Sequence, residues 1–129
     1  MDAEQLKRIP LFADASDADL NKVAVFADDR EIPEGSVVME EGGYSNELLA
    51  IEDGKAEVTR GGEHIADLGP GDIFGEAGML DDSMRSATVT AKSRMRVISL
   101  RHFEVMRLKK AAPDIYKKIE DLVEQRSKA

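Results

Sequence analysis

The chain has 129 residues, no cysteine, two histidines and a formal charge of −8, with 42% hydrophobic and 34% charged residues. That size suits one domain with a real core, and the missing cysteines exclude disulfides and thiolate metal sites. The acidic balance argues against nonspecific nucleic-acid binding, no apolar run nears the ~20 residues that cross a bilayer, and Met1-Asp2-Ala3-Glu4 is no signal peptide, so a cytoplasmic protein is expected.

In chain order, residues 2–8 predict a short polar helix ended near Ile9 by Pro10. Ser16 opens a second helix: Asp19 lies three residues on, and Leu20, Val23, Ala24 and Ala27 recur at helical spacing. From Glu31 to Leu100 short runs alternate with turn residues, giving strands at Val37–Met39, Leu48–Glu52, Ala56–Arg60, His64–Leu68, Ser86–Thr90 and Met95–Leu100. Asp53-Gly54 reads as a hairpin turn. The expected fold is mainly β, an antiparallel β-barrel or jelly roll with helices at both ends. A helical run around Phe103, Met106 and Arg107 is interrupted by Pro113. Beyond it Ile115, Ile119, Leu122 and Val123 form an apolar stripe.

The stretch Phe74 to Ala91, FGEAGMLDDSMRSATVTA, carries the chemistry. Gly75 and Gly78 flank Glu76 and let main-chain N–H groups approach a ligand closely. A helical turn over 76–80 would aim unpaired N–H groups at an anion. Arg85 adds a fork of donors matched to two phosphate oxygens. Glu76 would repel a phosphate, so it suits a sugar hydroxyl on the same molecule. Anion plus hydroxyl suggests a nucleotide. Met79 and Leu80 read more readily as core than as ligand contacts, and the hydroxyl of Ser86 is open between starting a strand and touching the ligand.

This pattern resembles the phosphate-binding cassette of cyclic nucleotide-binding domains, found in catabolite activator-type transcription factors, regulatory subunits of cAMP-dependent protein kinase and cyclic nucleotide-gated channels. The likeness extends upstream through IPEGSVVMEEGG, LLAIEDGKAEVT and ADLGPGDIFGE, covering roughly residues 9–127. It implies a ligand site built from Phe74, Gly75, Glu76, Ala77, Gly78, Met79, Arg85, Ser86 and Ala87. Glu76 would accept from the ribose 2′-hydroxyl and Arg85 would pair with the phosphate oxygens. The N–H groups of Ala77, Gly78 and Ser86 would complete the cradle. Ala77 replaces a larger aliphatic residue and Met84 a usual Pro or Gln, which implies lower affinity.

The resemblance further implies terminal helices that hinge on binding, with Tyr116, Ile119 and Leu122 as candidate lid residues. The same stripe also fits a dimer seam or plain core cover, and the oligomeric state stays open. The expected organisation is one domain over 1–129: N-terminal helices 1–28, a β-barrel 29–100 with a cassette at 74–88, and hinge or lid helices 101–127. The expected ligand is cAMP, because the resemblance is bacterial in flavour, with cGMP as the second choice, since a hydroxyl after the arginine occurs in relatives of both preferences. No cofactor, metal, membrane or direct nucleic-acid partner is expected. An effector protein of unknown identity is the expected partner: a complete protein would act by a protein contact or by sequestering nucleotide, a fragment through an effector segment elsewhere, and the sequence leaves both open. Two other readings stand beside the sensor: an interaction module with a vestigial cassette, and a metal-dependent barrel enzyme. The latter would need clustered histidines, whereas His64 and His102 are isolated. No Ser-His-Asp or Cys-His set is available, so no enzyme activity is expected.

Overall fold

The computed structural model describes residues 3–42, 47–75 and 87–127, with side chains described up to residue 121. Helix α1 spans Ala3–Lys7, a 3-10 turn covers Pro10–Phe12, and α2 spans Asp17–Phe26. Eight strands follow: β1 Asp28–Ile32, β2 Val37–Met39, β3 Glu47–Asp53, β4 Ala56–Arg60, β5 Glu63–Leu68, β6 Ile73–Phe74, β7 Thr88–Ala91 and β8 Met95–Arg101. Helices α3, His102–Ala111, and α4, Pro113–Ser127, close the described chain.

Ser16 caps α2 as its sequence requires, its hydroxyl accepting from the Asp19 N–H at 3.1 Å. At the start of α3, Glu104 reaches back to accept from the Arg101 N–H at 2.9 Å. Ala112 separates α3 from α4, and Pro113 takes the first helical position of α4, where its missing N–H costs nothing.

The strands form two antiparallel four-stranded sheets, ordered β1-β8-β3-β6 and β2-β7-β4-β5. This is the jelly-roll form of the expected fold, two facing sheets rather than one closed barrel. The first sheet is the middle layer of three. Along β3, Leu48 and Ala50 face the helices while Leu49 and Ile51 face the second sheet; along β8, Ile98 and Leu100 alternate with Val97 in the same way. The continuous apolar runs of both strands follow from burial on both faces.

Three details depart from the sequence reading. Asp53-Gly54 makes no hairpin: both edges of β3 are already occupied by β8 and β6, so the chain turns there into the other sheet. The tight two-residue hairpin lies instead at Gly61-Gly62, joining β4 to β5, with both φ angles positive at 58° and 83° as a type I′ turn demands. Strand β1, sequence DDREI, has no apolar alternation to announce it. Cross-strand charge supports it instead: Asp29 pairs with Arg96 at 3.3 Å, Arg30 with Glu47 at 2.7 Å, Asp28 with Arg101 at 3.8 Å, and Glu31 with Arg94. A charged edge of this kind also discourages pairing with another chain.

Candidate ligand pocket

The segment read as the cassette leaves one sheet and enters the other. On the entry side, a turn at residues 69–72 is closed by Asp72, whose carboxylate accepts from the Gly69 N–H at 2.8 Å. The carbonyl of Asp72 and the N–H of Gly71 then bond the Ile51 backbone, both at 2.8 Å, which fixes β6 against β3. Ile73 packs toward the helices and Phe74 into the sandwich. Gly75 ends this approach with φ +87°, and a Cβ at this position would lie 2.4 Å from the Glu47 carbonyl oxygen and 2.9 Å from the Met39 methyl. Only glycine fits.

On the exit side, Ala87 is buried and β7 runs between β2 and β4 in the second sheet. The Thr88 hydroxyl accepts from the Glu41 N–H at 3.1 Å, while the Glu41 carboxylate accepts from the Gly61 N–H at 2.9 Å. The turn after β2, the β4–β5 hairpin and the start of β7 are thereby tied together. Of the sequence-derived site residues, Phe74, Gly75 and Ala87 are fixed at these two anchors. Glu76, Ala77, Gly78, Met79, Arg85 and Ser86 lie outside the described residues.

The inner wall near Gly75 is apolar, formed by Met39, Leu49, Phe74 and Val89. Where this wall ends on the first sheet, the inward positions turn polar. Arg30 and Glu47 lie in phase with Ile32 and Leu49, and Ser99, 3% exposed, donates its hydroxyl to the same Glu47 carboxylate that Arg30 holds. Together with Asp28 and Arg101 they line a cavity of about 220 Å³. Sequence reasoning missed this cluster. Only Glu47, a charge in phase with Leu49 on the otherwise apolar β3, hinted at it; its partners Arg30 and Ser99 come from distant strands.

Tyr116 and Ile119 lie in the helical layer, 8% and 0% exposed, within the cluster that contains Leu6, Phe12 and Leu20. The side chain of Leu122 lies outside the described residues. Burial and the nearby Glu120 carboxylate push the Tyr116 hydroxyl above its usual pKa, and the Lys109 ammonium sits 6.0 Å from its ring. His64 is exposed and bonds Glu57 at 2.8 Å, and His102 has a buried Nδ1 with no hydrogen-bond partner among the described residues. No group of three metal-ligating side chains occurs among the described residues.

The cyclic nucleotide-binding domain model matches residues 29–111, and the chain belongs to that family. Among its relatives is the cAMP-dependent protein kinase regulatory subunit of Yarrowia lipolytica, 38% identical over 97 residues that make up 74% of this chain and 26% of the relative. The chain thus spans about a quarter of that curated relative's length. The catabolite activator protein of Thermus thermophilus has a similar structure, with a TM-score of 0.83 at 26% identity over 92% of this chain and 58% of that one. So does the regulatory subunit of a cAMP-independent protein kinase A from Trypanosoma brucei, with a TM-score of 0.83 at 21% identity over 98% of this chain and 44% of that one. Among the described residues no helix is long and apolar enough to cross a membrane.

Proposed function

We propose that this chain binds a cyclic mononucleotide, cAMP in preference to cGMP, and signals its presence by moving its terminal helices, without catalysis. The observation that supports this most directly is the anchoring of the cassette: Gly75 held against Glu47 at one end, Ala87 buried at the other, with an apolar wall beside them. In this reading Arg85 pairs with the phosphate oxygens, Glu76 accepts from the ribose 2′-hydroxyl, and the N–H groups of Ala77, Gly78 and Ser86 complete the cradle. Phe74 and Met79 back the loop from the apolar side. Residues 1–28 and 101–127 are the moving parts around the sandwich of 29–100. Tyr116, Ile119 and Leu122 leave or adjust their packing to cover the base. Such a switch requires different affinities in its two states. The output passes to an effector protein in the cytoplasm.

A cyclic mononucleotide has roughly 22 heavy atoms, and about 0.3–0.4 kcal/mol per atom gives a dissociation constant near micromolar. Calorimetry with cAMP, cGMP and AMP tests the assignment, with cAMP expected to bind most tightly. Arg85→Ala should weaken cAMP binding about 10- to 150-fold through loss of a charge-assisted pair worth roughly 1.5–3 kcal/mol. Because this fold also occurs in a regulatory subunit described as cAMP-independent, the fold alone does not select the ligand. An absence of any melting shift at millimolar cAMP and cGMP would favour an interaction module with a vestigial cassette. Saturating ligand at about 100 Kd should otherwise add about 2.7 kcal/mol of stability.

A further inference from the structure

We infer that the shared surface of α2 and α3 is a docking site for an acidic amphipathic helix of another protein. Val25 is 79% exposed, Phe103 54% and Met106 38%, and these three account for most of the large apolar side chains left open to solvent among the described residues. They lie on two helices in contact with each other. Arg107 joins the two, its guanidinium 5.8 Å from the Phe26 ring centre and 6.0 Å from that of Phe103. Arg107 thus sits between two aromatic rings on a pair of helices that also expose Val25 and Met106, and aromatic residues and arginine are the types that dominate binding energy at protein interfaces.

Charge selects the occupant. On the side of α3 that bears Phe103 and Met106 lie Arg107 and Lys110, Lys109 turning toward the Tyr116 ring of α4, and the only acid of that helix, Glu104, is buried and turned back to the Arg101 N–H. Neither Arg107 nor Lys110 has an ion-pair partner among the described residues, although acids outnumber bases 26 to 18 in the chain. Arg107, stacked on two rings, keeps the edge of its donor fork for a carboxylate. A helix with apolar residues at i, i+3 or i+4 and i+7, flanked by Asp or Glu, matches both features. A second copy would set Arg107 against Arg107 in a symmetric pair. An anionic membrane needs clusters of about four to eight cations, more than this face has, and would repel a chain of charge −8.

The test titrates the full chain with a synthetic helix of roughly 15 residues, Leu on one stripe and Glu elsewhere, and follows the methyl signals of Val25 and Met106 by NMR. Saturable shifts centred on Val25, Phe103 and Met106 are expected. Arg107→Glu should weaken binding at least about tenfold with little change in melting temperature, and a Lys-for-Glu version of the peptide should bind at least about tenfold more weakly. Phe103→Asp provides a second variant with the same expectation. Shifts located elsewhere, equal binding of both peptides, tighter Arg107-dependent binding to phosphatidylserine vesicles, or Arg107-dependent self-association in sedimentation would each overturn the inference.

Discussion

At Glu52 the fold works against a charge. One carboxylate oxygen is buried with no hydrogen-bond partner among the described residues. Burial and the neighbouring Asp29 push the pKa above the usual 4.5, with Arg96 and Arg8 opposing. A raised carboxyl pKa means that the folded state prefers the protonated form. Its favourable contribution is therefore complete below about 4.5 and lost as pH rises through the folded value. Glu52→Gln should raise the melting temperature at pH 7, and the difference from the parent should close as the pH is lowered toward 4; a constant difference across a pH series of thermal melts would argue against this account. Gly75 gives the opposite result. Its positive φ and the 2.4 Å approach to the Glu47 carbonyl leave no room for a methyl group, so Gly75→Ala should cost at least about 2 kcal/mol in denaturant titrations.

Among the elements, β1 is held by charge more than by burial, with four of its five residues exposed. Reversing one diagonal pair, Asp29→Lys beside Arg96, should destabilise by roughly 1 kcal/mol, and adding Arg96→Asp should recover part of the loss in a double-mutant cycle. The same feature explains why this strand was hidden in the sequence. Strands β3, β4 and β8 were legible because apolar and β-branched residues define them, and α2 because Ser16 and its stripe mark its start. DDREI offers neither signal, and its partners at Arg94, Arg96 and Arg101 lie over sixty residues away. The turn at Asp53-Gly54 was misread for a related reason: a dipeptide specifies a bend, while the occupied flanks of β3 decide which strand comes next. Of the cassette the sequence singled out, its two ends are described: the glycine at 75 marks the tight approach to Glu47, and Ala87 the entry to β7. The Arg30–Glu47–Ser99 cluster beside it arises only from tertiary pairing.

For the whole molecule, the middle sheet decides where stability resides. Strands β3 and β8 pair with each other and are covered on both faces, whereas β5 is an edge strand with four of its six residues exposed. Amide hydrogen exchange should accordingly be slowest at Leu48–Ile51 and Val97–Leu100, approaching the global unfolding limit, and markedly faster in β5. If β5 amides proved as protected as those of β3, the layered arrangement would not govern unfolding.

That arrangement places Leu48 and Leu49, adjacent in the chain, in two different interiors. Strand β3 consequently has a parity: deleting a single residue would send helix-facing side chains toward the interior between the two sheets and the reverse, whereas removing two together would preserve the sidedness. Indel tolerance along this strand should thus alternate between odd and even lengths, a pattern that a deletion library would reveal directly.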